Sequence, residues 1–216
     1  MINSLRSLVF DLDGTLVDSA PGILASFAAT LQAAHVEPKL PLEPGLIGPP
    51  LQQTLAQLAG SDDPTLLAKL VTGFKSHYDT QGIFSTPAYG GISELLDELS
   101  KRGINLHICT NKRIAPTRAL VGHLGWQSHF RSLYALDMRS PPFAGKSIAL
   151  AEQLREQGID PYTTAYIGDR REDAEAAEAN GLAFFYASWG YGAEKQNQAP
   201  AHWRWLDTPI ELLAYL

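Results

Sequence analysis

From Gly90 to Tyr215 apolar segments of strand length alternate with segments of helical period, and that alternation leaves few folds open. The helical pattern falls on residues 92–101, 115–124, 147–157 and 174–180, the last closed by Gly181. Thr208-Pro209 then suits the start of a final helix running to residue 215. Residues 104–109, 133–136, 164–167 and 182–187 read as strands, and residues 5–10 supply one more at the start. Trp203 and Trp205, two apart, fit one face of a short terminal strand. Strands joined through helices of this length pair in parallel, with helices covering both faces. The expected fold class is therefore α/β, a doubly wound parallel sheet.

The stretch between the first strand and Gly90 breaks this rule. Residues 23–34, 51–59 and 64–78 look helical, with breakers between them at Pro38, Pro41, Pro44, Gly45, Gly48, Pro49 and Pro50. No strong strand signal interrupts them. The reading that follows is a catalytic core of residues 1–17 and 87–216, with a small helical cap, residues 18–86, inserted into it. A chain of 216 residues has room for one domain with such an insertion.

Charge removes several classes of partner. Seventeen Lys and Arg against 23 Asp and Glu leave a net charge of −6, so there is no general electrostatic pull towards nucleic acid or an anionic membrane. The apolar stretch 8–10 runs straight into Asp11 and Asp13, which excludes a signal-peptide core there. The uncharged run 19–36 contains Pro21, Gly22, Ser26, Thr30, Gln32 and His35, and reads as an amphipathic helix rather than a membrane span. The single cysteine, Cys109, cannot form an internal disulfide, and a reducing cytoplasm is the expected location. A monomer or weak homodimer is expected.

In an open parallel sheet, the loops beyond the carboxyl ends of the strands converge on one crevice. Here the first strand ends at Asp11-Leu12-Asp13-Gly14-Thr15 and the second at Thr110-Asn111-Lys112. The third leads to Lys146, and the fourth ends at Gly168-Asp169 with Asp173 beyond. A spacing of two puts Asp11 and Asp13 on one side of an extended segment. With Asp169 arriving from another strand, three carboxylates repel one another unless a cation sits among them. Mg²⁺, a hard ion that takes oxygen ligands, is the cation implied.

This constellation resembles the haloacid dehalogenase superfamily, and within it the phosphatases of the phosphoglycolate phosphatase type. The residues that carry the resemblance are the run from Phe10 to Ser19, then Thr110-Asn111, Lys146, and Gly168-Asp169 followed by Asp173. The resemblance implies that Asp11 attacks a phosphate monoester to form an aspartyl-phosphate. Asp13 then acts as general acid and base, and its backbone carbonyl joins the metal ligands. It also implies that Gly14, the Thr110 hydroxyl and the Asn111 N–H hold the phosphoryl group while Lys146 offsets its charge. Asp169 and Asp173 complete the Mg²⁺ site. A small cap of this kind closes over small phosphorylated metabolites, and its loop from Gly45 through Gly48 and Pro49 to Leu51 faces the leaving group. That loop is uncharged. A carboxylate on a substrate such as phosphoglycolate would have to find its partner at Lys39, Lys69, Lys75, Lys112, Arg113, Arg170 or Arg171, and the substrate stays open.

Plainer readings stand beside these. Asp11 and Asp13 fit a turn, Thr110-Asn111 a helix cap, Lys146 a solvated loop and Asp173 an N-cap. Relatives often follow the phosphate-site lysine with proline, whereas Ser147 stands here, and Lys112 is a second lysine near the site. Cys109 points away from Thr110 by alternation and belongs to the core. The six histidines show no metal-ligand spacing. Trp189-Gly190-Tyr191-Gly192 suits either the site entrance or packing. A haloacid dehalogenase proper has no use for Asp13 or Asp169, and a β-phosphoglucomutase-like phosphotransferase fits Thr15 less well. A phospho-accepting receiver domain, the reading from another class, needs no cap.

Overall fold

The computed structural model describes residues 5–216, so the first four residues of the expected core segment 1–17 lie outside it. Six parallel strands run in the order β3-β2-β1-β4-β5-β6. They are β1 (Ser7–Phe10), β2 (Asn105–Thr110), β3 (Phe130–Ala135), β4 (Thr164–Gly168), β5 (Ala183–Ala187) and β6 (Arg204–Leu206). Helices α4 (Ile92–Lys101), α5 (Ile114–His123), α6 (Lys146–Gln157) and α7 (Arg171–Ala179) connect them. The sheet grows from β1 outward to β3, then returns to β1's other edge at β4. Ligand crevices form at such a reversal.

Alternation along the strands divides the interior into two cores. Leu8, Phe10, Leu106, Ile108, Ala165 and Ile167 face one way, onto Leu95 and Leu99 of α4 and Leu120 of α5. Val9, Cys109, Tyr166, Phe184 and Tyr186 face the other, onto Leu150 of α6 and Ala174 and Ala177 of α7. Both faces are therefore covered, which is why β1 and β4 are buried at every position. The expected terminal strand is present as β6, and Trp203 and Trp205 both stack on Tyr186, at 6.0 and 4.2 Å between ring centroids.

Three further helices, α1 (Ala20–Ala33), α2 (Leu51–Ala59) and α3 (Pro64–His77), follow β1. Phe27 of α1 and Phe74 of α3 lie 4.7 Å apart, and Phe74 stacks on Tyr78 at 5.5 Å. The chain enters and leaves this helical group side by side, because Val17 bridges Ala88 and the Asp18 N–H donates to Pro87 O at 2.9 Å. No helix among the described residues is long and apolar enough to cross a membrane.

Local chemistry shifts several boundaries. α1 begins at Ala20 rather than residue 23, since Pro21 and Gly22 occupy its first turn, where proline's missing N–H costs nothing. α3 gives way to a π-helical turn, Tyr78–Gly82. β3 starts at Phe130, three residues early, and the last helix is a 3-10 helix, Pro209–Tyr215.

Candidate active site

Asp11 follows β1, Asp169 follows β4, and Asp173 lies in the first turn of α7. One carboxylate oxygen from each falls within 4.8 Å of the others, and all three residues are buried. Asp169 is positioned by the Thr15 hydroxyl, which donates to Oδ1 at 3.3 Å, and by the Tyr191 N–H, which donates to Oδ2 at 2.7 Å. Asp173 accepts from the Arg170 N–H at 3.0 Å, so it stabilises the start of α7 as well as facing the cluster. The Lys146 ammonium, itself buried, stands 2.5 Å from Asp173 Oδ1 and 3.3 Å from Asp11 Oδ1.

Three negative charges against one lysine leave the cluster short of positive charge. Burial, then Asp173 and Asp13, outweigh Lys146 and push the Asp11 carboxyl up to about 6. Burial and the neighbouring Asp173 and Asp11 push Asp169 up to about 7. Burial works against the charge on Lys146, but Asp11 and Asp173 outweigh it and hold the ammonium well above its ordinary value. Asp11 Oδ1 is buried and accepts no hydrogen bond, although the Lys146 ammonium stands 3.3 Å away. Oxygen donors this close together, with one of them unsatisfied, fit a hard divalent cation.

The Asp13 side chain stands outside this trio. Both its oxygens rest on Lys112 Nζ, at 2.9 and 3.1 Å. Tyr78 fixes Lys112 from the other side, accepting from the ammonium at 2.7 Å. The two lysines thus divide, Lys146 against Asp11 and Lys112 against Asp13. Thr110 ends β2, and its Oγ1 accepts from the Lys112 N–H at 3.2 Å. Asn111 Nδ2 donates to Gly48 O and to Glu172 Oε2, both at 2.9 Å.

The loop before α2 is only partly turned to the site. Gly48 and Pro49 line the cavity above Asp11, Thr110 and Asn111, whereas Gly45 and Arg170 do not. The Arg170 guanidinium instead donates to Pro44 O and Gly45 O at 3.3 Å, tethering the loop. Gly48 has φ +126°, and a Cβ there would strike that same guanidinium. Gly14, φ +86°, leaves the space that the Asp169 carboxylate fills.

Sequence reasoning missed Tyr78, Glu172 and the bracing role of Tyr191. Tyr78 reads as the last apolar residue of a helix, and Glu172 as a surface acid paired with an arginine. Only the glycines flanking Tyr191 carried a signal, of close backbone approach. Cys109 faces the second core, and burial raises its thiol to about 12, so it is no nucleophile.

Comparison with known proteins places this arrangement. Residues 8–187 match the family described as haloacid dehalogenase-like hydrolase. The chain belongs to that family. This hydrolase is 30% identical over 200 residues to a 5'-nucleotidase of Pseudomonas aeruginosa, covering 91% of this chain and 90% of that one. It is 32% identical over 213 residues to the phosphoglycolate phosphatase of Xylella fastidiosa, covering 95% and 89%. It is also 29% identical over 192 residues to the tyrosine-protein kinase PtkA of Mycobacterium tuberculosis, spanning 88% of this chain but 64% of that protein. Among solved structures, a haloacid dehalogenase-like family protein from Streptococcus pneumoniae superposes with a TM-score of 0.83 at 28% identity, covering 98% of both chains.

Proposed function

We propose that this hydrolase is a Mg²⁺-dependent phosphomonoesterase acting on a small phosphorylated metabolite in the cytoplasm. The observation that supports it most is the buried trio Asp11, Asp169 and Asp173 with Lys146 3.3 Å from Asp11, which itself lines a cavity in the hydrolase fold. Asp11 Oδ attacks phosphorus while the bond to the alcohol oxygen breaks, and the departing oxygen takes a proton from Asp13. Water then attacks the aspartyl-phosphate, Asp13 accepts its proton, and inorganic phosphate leaves with the Asp11 carboxylate restored. Thr110, Asn111 and Gly14 orient the phosphoryl oxygens, and Lys146 offsets their charge.

Asp11, Asp169, Asp173 and the Asp13 carbonyl would hold the cation. When bound, it neutralises repulsion between a carboxylate and a phosphate dianion. We read residues 18–86 as the cap, supported by the adjacent crossings at Val17 and Ala88. The test is hydrolysis of p-nitrophenyl phosphate with Mg²⁺, with EDTA and by Asp11→Asn. Turnover in Mg²⁺ alone, lost in the variant, is expected; full turnover in EDTA or by Asp11→Asn overturns the mechanism.

A further inference from the structure

The cavity over Asp11 has a volume of about 530 Å³, in the range that holds a drug-sized organic molecule. A two-carbon acid on the phosphate would leave most of it to water. Its walls away from the phosphoryl end are apolar: Ile23 and Phe27 from α1, Leu51 from α2, Val71 and Phe74 from α3, and Ile47 from the loop. Phe27, Phe74 and Tyr78 form a continuous aromatic wall.

The charged side chains that reach this space are mostly committed. Lys112 is held between Asp13 and Tyr78. The Arg113 guanidinium grips both oxygens of Asp79, at 3.0 and 2.5 Å, and Asp137 caps α5 by accepting from the Ile114 N–H at 2.7 Å. Outside the cavity, Arg170 holds the loop carbonyls and Arg171 pairs with Glu194. Among the described residues that line the cavity, the one cation without an acidic partner is Lys75, exposed on α3. A substrate carboxylate could meet only Lys75, at the exposed edge; deeper, against Ile23, Phe27 and Leu51, it would be buried without a partner, which is strongly unfavourable. The uncharged polar groups on α2, Gln52 and Thr54, suit at most a hydroxyl or an amide.

We propose that the leaving alcohol of the natural substrate is uncharged and carries a bulky apolar body that fills the space between α1, α2 and α3. This rests on the phosphomonoesterase reading and deepens it. It also distinguishes this chain from an enzyme built for phosphoglycolate.

A homologous series of n-alkyl phosphates, ethyl to hexyl, tests it, because the leaving group stays a primary alkoxide while only the apolar body grows. Phosphoglycolate, glucose 6-phosphate and p-nitrophenyl phosphate complete the panel, all with saturating Mg²⁺. Burying one methylene is worth roughly fourfold, so kcat/KM is expected to climb by up to about that factor per carbon and to place hexyl phosphate well above phosphoglycolate. Val71→Lys, which sets a charge in the wall, is expected to flatten the alkyl series. A flat series in the wild type, or phosphoglycolate or glucose 6-phosphate preferred tenfold over hexyl phosphate, overturns the proposal and leaves the phosphomonoesterase reading intact. No turnover of any ester, p-nitrophenyl phosphate included, overturns both.

Discussion

The main-chain N–H of Tyr191 donates to Asp169 Oδ2 across 2.7 Å, and the glycines on either side of Tyr191 permit that approach. A methyl group at Gly190 would collide with Asp169 Cβ and Gly14 O, and one at Gly192 with Asp169 O. The Tyr191 phenol meanwhile donates to Asp18 at 2.7 Å and accepts from the Ala20 N–H at 2.9 Å. One residue thus couples a proposed metal ligand to the entry of the proposed cap.

Gly190→Ala is accordingly expected to displace Asp169 while leaving the fold in place. Groups that orient metal ligands are typically worth about 10–100-fold in metal affinity. The Mg²⁺ concentration for half-maximal hydrolysis of p-nitrophenyl phosphate should rise by a factor in that range, with the circular dichroism spectrum unchanged. An unaltered Mg²⁺ curve would show that Asp169 does not depend on this brace.

Metal binding at the proposed site is expected to release protons. In the metal-free protein Asp11 and Asp169 keep their protons up to about 6 and about 7, chiefly through burial. A carboxyl raised on folding favours the fold below its unfolded pKa, and that contribution is lost as pH rises through its folded value. Metal-free stability should therefore fall from pH 5 to pH 8, whereas added Mg²⁺ should raise Tm more at pH 8 than at pH 6. Calorimetry at pH 6.5 in two buffers of different ionisation enthalpy should detect the released protons. Equal Tm shifts at both pH values would rule the coupling out.

Alternation explains how much of this was legible in advance. The parallel sheet followed from strands and helices taking turns, and the convergence of Asp11, Thr110 and Asp169 followed from where the strands end. What sequence could not place were partners that depend on how the helical insertion sits on the sheet. Lys112 illustrates this, because its hold on Asp13 depends on Tyr78, 34 residues away across the fold. Arg170 is the converse case: its charge beside Asp169 suggested substrate, yet its reach ends at the loop carbonyls. Lys146 was ambiguous against Lys112 because β3 and the loop after it had to be built before either ammonium could be assigned a carboxylate.

The division between the two lysines can be measured. Lys146 faces Asp11, so Lys146→Met should lower kcat on every phosphate ester alike, by about 10²–10³ if it stabilises charge as an oxyanion-type donor does. It should also destabilise the metal-free protein, since Asp11 and Asp173 lose their buried counter-charge. Lys112 contacts Asp13 and Tyr78 but neither Asp11 nor Asp173, so the effect of Lys112→Met should depend on how much the leaving group needs a proton. Equal dependence on leaving group in both variants would erase the distinction.

Asp13 itself gives the sharpest case. As the proposed general acid it would protonate the departing oxygen, and the need for that grows as the leaving group becomes more basic. An alkoxide from hexyl phosphate needs the proton, whereas a nitrophenolate leaves nearly unaided. Asp13→Asn should therefore slow single-turnover phosphorylation of Asp11 by hexyl phosphate far more than by p-nitrophenyl phosphate, with a gap approaching the roughly 10²–10⁴-fold typical of general acid catalysis. Single turnover is the right measurement because the proposed later hydrolysis of an aspartyl-phosphate, with Asp13 as base, would be common to both substrates. The main-chain carbonyl survives the substitution, so metal binding should not change. The hold of Lys112 on the carboxylate, 2.9 and 3.1 Å from its oxygens, adds a second expectation. If Lys112 acts through Asp13 alone, adding Lys112→Met to Asp13→Asn should cost nothing more. Equal losses on the two esters would mean that Asp13 serves the metal or the local geometry, and the acid role would have to be given to another group.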